Sequence, residues 1–143
     1  MKKSCILGKI NEINSISNKF IEKKIKEEGL PILKNHIPLF YILPEDGSAL
    51  VFSKISNIWN ISKSSLSDII NKYENQGLIK KCICNEDKRS VYMSLKPEAL
   101  YIKQKIESIE VEILDLMLKG FDKNERQIFE ENLDKVLKNI KKM

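Results

Sequence analysis

Between Ser62 and Lys72 the chain gathers hydroxyls, amides and ammonium groups, and further cations follow at Lys80, Lys81, Lys88 and Arg89. Ser62, Ser64, Ser65, Ser67 and Asn71 can donate to and accept from the edges of bases exposed in a major groove, where Lys63 and Lys72 would meet phosphate or guanine. Lys80, Lys81 and Lys88 are cations of the kind that neutralise phosphates, which would make binding weaken steeply with salt. Arg89 is long, planar and always charged, which suits a narrow minor groove. Asp87 stands close enough in sequence to hold that arginine in place. The bland alternative for each of these residues is a solvated surface side chain.

Other reactive side chains are few. His36 is the single histidine, and the chain has no glycine-rich phosphate loop, paired-carboxylate motif or nucleophile elbow, so it is not expected to be an enzyme. A lone histidine is most simply a structural residue. Cys82 and Cys84 alternate with Ile83 and would project from one face of a strand. Two thiolates are half of a four-coordinate zinc site, and no second pair supplies the rest, so no metal and no cofactor is expected. Sensing of oxidants or soft metals through Cys5 or the Cys82/Cys84 pair stands against inert packing as small apolar residues.

These groups need a scaffold, and the spacing supplies one. Ile55, Ile58 and Trp59 recur at intervals of three and four, so a short helix turns them inward. Asn60 and Ile61 make a turn, and Ser62 is placed to cap the next helix, its hydroxyl accepting an otherwise unpaired backbone N–H. Leu66, Ile69, Ile70 and Tyr73 form the inward stripe of that helix, which leaves its polar residues outside. Gly77 falls where a helix stops, and Leu78-Ile79 restarts the chain as a strand. Residues 79–84 and 91–95 read as two strands around the polar tip 85–89. Helix, turn, helix and hairpin in this order make a winged helix-turn-helix.

The run GLIKKCICNEDKRSVYMSL resembles, without a gap, the end of the recognition helix and the wing of the multiple-antibiotic-resistance regulator (MarR) family. ISKSSLSDIINKYENQGLI is similar to that family's recognition helix. The order of elements agrees over nearly all of the chain, with departures at Pro38 and in the loop 44–49. The resemblance implies a homodimer whose first, fifth and sixth helices build the interface. It also implies a recognition helix, 62–76, in the major groove of a double-stranded, pseudo-palindromic operator, with the wing tip Arg89 in the minor groove. A small-molecule effector often binds such proteins between the dimer helices and the reading module, where Phe20, His36 and Phe40 could contribute. The function implied is sequence-specific, effector-responsive transcriptional regulation, most simply repression. The alternatives are a winged-helix module that binds protein and not DNA, or a thiol- or metal-responsive variant of the regulator. Cys5, near the start of the first helix, resembles the reactive cysteine of the family's peroxide-sensing branch, without that branch's supporting tyrosines.

The rest of the chain reads as helix. Ile6, Ile10, Ile13, Ile16, Phe20 and Ile25 give residues 4–28 an apolar stripe. Gly29-Leu30-Pro31 breaks it, and 35–43 is a second, short helix that tolerates Pro38 only in its first turn. Pro97 opens another helix with an apolar face of Leu100, Ile106, Ile109, Ile113, Leu116 and Met117, ending at Gly120. Asp122 and Glu125 fit a capping box, and the last helix turns Ile128, Phe129, Leu133, Val136, Leu137 and Ile140 inward. The terminal helices carry more apolar surface than a short central module can cover, which predicts a two-fold dimer. The expected class is mainly α, one domain over 1–143: a winged helix-turn-helix with a small antiparallel β wing in 30–96, and long helices for dimerisation in 1–29 and 97–143.

Composition agrees with that outline. With 143 residues, 42% hydrophobic and 31% charged, the chain can bury one core. Its net charge of +5 favours an anionic partner. The excess is local: residues 53–90 hold seven basic and four acidic side chains, and residues 98–143 hold nine and ten. Met1-Lys2-Lys3-Ser4-Cys5 superficially resembles a lipoprotein start, but no apolar run precedes the cysteine, and no stretch approaches the length of a membrane span. A cytoplasmic protein without a membrane role is expected. Three cysteines in a reducing compartment argue against a disulfide framework.

Overall fold

Ser62 begins the helix that the fold presents outward. Its hydroxyl accepts the Ser65 backbone N–H at 3.1 Å, which satisfies one of the unpaired donors of the first turn and is worth about 1 kcal/mol. The helix it caps, α4, runs Lys63–Asn75 and buries Leu66, Ile70 and Tyr73. Its end is as local as its start. Gly77 takes φ 76°, the Gly77 N–H bonds Glu74 O and the Leu78 N–H bonds Tyr73 O, both at 3.0 Å. That is a Schellman closure, which needs a left-handed residue and hence glycine.

The computed structural model describes residues 5–83 and 90–143. The described residues fold as α1 (Ile6–Glu27), a 3-10 turn (Lys34–His36), α2 (Ile37–Ile42), β1 (Leu50–Val51), α3 (Phe52–Trp59), α4, β2 (Ile79–Ile83), β3 (Val91–Leu95), α5 (Pro97–Met117) and α6 (Lys123–Lys141). Six helices and a small three-stranded antiparallel sheet give the mainly-α winged-helix class expected. The sheet order is β1-β3-β2. β2 and β3 form the hairpin, from Ile79 opposite Leu95 to Ile83 opposite Val91. β1 is an addition to the expected elements: Leu50 and Val51 pair with Met93 and Tyr92. The tip of the hairpin, with Cys84, Asp87, Lys88 and Arg89, lies outside the described residues.

The chain divides into two compact units, Met1–Glu110 and Val111–Met143. In the first, Leu39, Phe40, Leu43, Ile55, Leu66, Tyr73, Met93 and Ala99 are wholly buried. Each large apolar side chain so placed contributes on the order of 2 kcal/mol. Pro38 stands in the first turn of α2, where its missing N–H has no partner to lose. One inward assignment on α3 is corrected. Ile58 is 55% exposed, because α3 is only eight residues long and Ile55 and Ser56 are the ones it buries. On α1, Ile6, Ile10, Ile13 and Ile16 are exposed, and the stripe meets the core only from Phe20 to Ile25.

In the second unit, α6 opens with the expected capping box: Glu125 N–H to Asp122 Oδ1 at 2.8 Å, and Asp122 N–H to Glu125 Oε1 at 3.1 Å. Its apolar face, however, is uncovered. Ile128, Phe129, Leu133, Val136, Leu137 and Ile140 are all exposed in the single chain, as are Leu116 and Met117 at the end of α5.

Candidate nucleic-acid interface

The turn between α3 and α4 sets the angle at which α4 is presented. Asn60 adopts φ 58°, ψ 48°, a left-handed conformation that asparagine tolerates better than most residues. Ser56, buried in the middle of α3, donates its hydroxyl to Ile61 O at 2.8 Å and its own carbonyl accepts the Ile61 N–H at 3.3 Å. The sequence gives only a faint signal of this brace, a small polar residue one position past the inward Ile55. Ser62, Lys63, Ser64, Ser65, Ser67 and Asn71 are exposed. Ser64, Ser67 and Asn71, spaced by three and four, share one outer face. Ser62 and Ser65 are partly committed to the cap, with their hydroxyls 2.9 Å apart.

The cations divide. Successive strand residues point to opposite faces, so Lys80 and Lys81 leave β2 on opposite sides. Lys80 is exposed on the side of Ser94 and the Glu45–Gly47 loop. Lys81 turns toward α4, where its ammonium donates to Asn71 Oδ1 and lies 3.3 Å from Glu74 Oε1. It closes one side of a cleft of about 590 Å³ between α4 and the hairpin, floored by Phe52, Ile70 and Met93. Lys72 extends along the Tyr73 ring, 5.7 Å from its centroid.

No protein-family model matches the chain, and no curated protein matches it in sequence. Solved structures do match in shape. Wild-type E. coli MarR in its apo form aligns over 96% of this chain and 99% of its own, with a TM-score of 0.76 and 14% identity. The S. aureus MepR–DNA complex aligns over the same shares with a TM-score of 0.75 and 17% identity. Bordetella bronchiseptica BpsR, solved for the regulation of its DNA binding by 6-hydroxynicotinic acid, aligns over 95% of each chain with a TM-score of 0.74 and 13% identity. The chain has the MarR-family fold. At such identities the likeness is one of fold, and it covers nearly the whole chain, so the two long end helices as well as the winged module belong to it.

Within the MarR fold the three residues considered for an effector pocket part company. Phe40 is wholly buried in the core, its ring edge-on to Tyr73 with centroids 5.3 Å apart. His36 is half-buried with Nδ1 2.7 Å from the Tyr73 hydroxyl. Burial, and then the charge of Lys72, lower its pKa below the ordinary histidine value. Phe20 lies on α1 with the Lys24 ammonium 5.7 Å from its ring. The cysteines also separate. Cys5 caps α1, its sulfur accepting the Gly8 N–H at 3.3 Å, and Cys82 is exposed on β2 opposite Tyr92. Among the described residues no group of three or more His, Cys, Asp or Glu side chains could hold a metal ion, and no helix is long and apolar enough to cross a membrane.

A polar group that spacing could not have found lies between α2 and α5. Lys103 is buried, its ammonium 2.8 Å from Glu45 Oε1 and 5.2 Å from the centre of the Tyr41 ring. The Tyr41 hydroxyl donates to Glu110. Burial and that carboxylate hold the phenol well above its usual range, so it stays a donor.

Proposed function

We propose that the chain is a sequence-specific, DNA-binding transcriptional regulator that acts as a homodimer and responds to a small-molecule effector, most simply as a repressor. The observation that carries this reading is the outer face of α4: a capped helix held by the core on Leu66, Ile70 and Tyr73, showing polar and charged side chains to solvent, among them Lys63, Ser64, Ser67, Asp68 and Asn71, with no aliphatic one exposed, and flanked by a hairpin. Short polar side chains on a convex helix can approach base edges, which bulky aliphatics would prevent. Solved proteins of the same fold include one bound to DNA and one whose DNA binding is regulated by a small aromatic acid. Dimerisation is supported by the uncovered apolar residues of α1 and of α6, which a second copy would bury. Two copies would present two α4 helices to two half-sites, with Arg89 of each wing in the flanking minor groove.

The test is binding to the DNA immediately upstream of the chain's own gene, measured at several salt concentrations beside Arg89→Ala. The reading predicts preference over unrelated DNA, a steep salt dependence, and a shallower slope for the variant. Equal, weak binding of both proteins to all DNA would overturn it.

A further inference from the structure

Asn71 and Lys81 come from different elements, ten positions apart, yet they form one unit. An ammonium has donors and no acceptor, so the Asn71 amide must turn its oxygen to Lys81. That leaves the NH₂ as the end of the side chain with no partner among the described residues, on an exposed residue in line with Ser64 and Ser67. The same ammonium is balanced by Glu74, one turn along the helix. Its charge is therefore spent within the protein and not on phosphate, and Lys81 remains only one-third exposed.

We infer that Lys81 is a specificity-determining residue that fixes Asn71 as a donor-only reader, so that the base facing Asn71 is guanine, or else thymine. The inference rests on the regulator reading above. An asparagine free to use both ends matches adenine, accepting from N6 and donating to N7. Here the oxygen is engaged by a cation, which also repels the positive edge of an exocyclic amino group. The polarised NH₂ is a stronger donor for that reason. Guanine presents two acceptors, N7 and O6, and thymine presents O4. Adenine and cytosine each place an amino group where this pair would reject it.

The experiment is selection from a random duplex library by the wild type, Asn71→Ala, Asn71→Asp and Lys81→Met, each first shown to melt cooperatively and to keep its oligomeric state. The position that Asn71→Ala releases is the one Asn71 reads. The wild type should enrich guanine or thymine there. Lys81→Met should admit adenine, with the preference falling about tenfold. Asn71→Asp, which offers only acceptors, should move the preference to cytosine or adenine. Adenine enriched at that position by the wild type, no position released by Asn71→Ala, or a preference untouched by Lys81→Met would each overturn the inference. Failure of the wild type to enrich any sequence would instead overturn the regulator reading on which it rests.

Discussion

The Tyr73 hydroxyl accepts the Leu33 backbone N–H at 3.2 Å and lies 2.7 Å from His36 Nδ1. Tyr73 still has its proton to give, and a neutral imidazole with Nδ1 unprotonated can accept it. Helix α4 is thereby pinned to the segment before α2, with the two rings edge-on at 86°.

Removing the hydroxyl with Tyr73→Phe should leave both the amide and the imidazole without their partner and cost about 1–3 kcal/mol. Urea denaturation should show the loss as a lower midpoint at unchanged slope. A variant as stable as the wild type would mean that water replaces the hydroxyl at no cost.

His36 supplies a pH dependence. Its pKa in the fold lies below the unfolded value of 6.5, so the unfolded chain binds more protons and stability rises with pH through that interval. This contribution is complete above about pH 6.5 and is lost as pH falls through the lower, folded value. His36→Asn keeps an acceptor near the Nδ1 position and cannot titrate. The wild type should lose more melting temperature than this variant between pH 7.5 and about 5; parallel curves would refute the assignment.

The Lys103–Glu45 pair is asymmetric, with the lysine side chain 8% exposed and the glutamate 63%. Glu45→Gln should cost about 1–2 kcal/mol, because it leaves a buried ammonium uncompensated, whereas Lys103→Met should cost less because it leaves only a solvated carboxylate. The order of the two midpoints in denaturant decides the point, and the reverse order would contradict it.

Legibility in the sequence follows range. The cap at Ser62, the stop at Gly77 and the capping box at Asp122 rest on residues within a few positions of one another, and each is legible from those neighbours alone. β1 is not, because two residues carry no periodicity and Leu50 becomes a strand only by pairing with Met93 across the fold. Lys80 and Lys81 read as twin phosphate contacts, yet the pleat sends them to opposite faces, and only the folded hairpin shows that Lys81 belongs to Asn71 and Glu74. That Phe40 is wholly enclosed is not legible either, since an aromatic on a short amphipathic segment gives no sign of it. Lys103 and Glu45 are too far apart in the chain for any local pattern to join them. The face of α6 is recognisably apolar, but its residues stay exposed in the single chain, so periodicity shows the face and not what covers it.

That face gives a prediction about assembly. Leu133, Val136 and Leu137 are each about half exposed, and a charge among them should be costly only if a second copy covers them. The wild type should sediment at twice 16.6 kDa, and Leu137→Glu should shift it toward the single-chain mass. A wild type that sediments as one chain at micromolar concentration would contradict the dimer.

The central claim is that the outer face of α4 reads DNA, and fluorescence anisotropy of labelled upstream DNA titrated with the wild type and with Ser67→Glu tests it most directly. Ser67 is exposed on α4 in line with Ser64 and Asn71, so a carboxylate there should leave melting and assembly unchanged while meeting the phosphates of the groove with like charge. The account predicts a loss of affinity of at least about fivefold at low salt, since one misplaced charge in such an interface costs about 1 kcal/mol or more, comparable to a lost base contact. Equal binding by the two proteins would place the reading surface elsewhere and contradict the account.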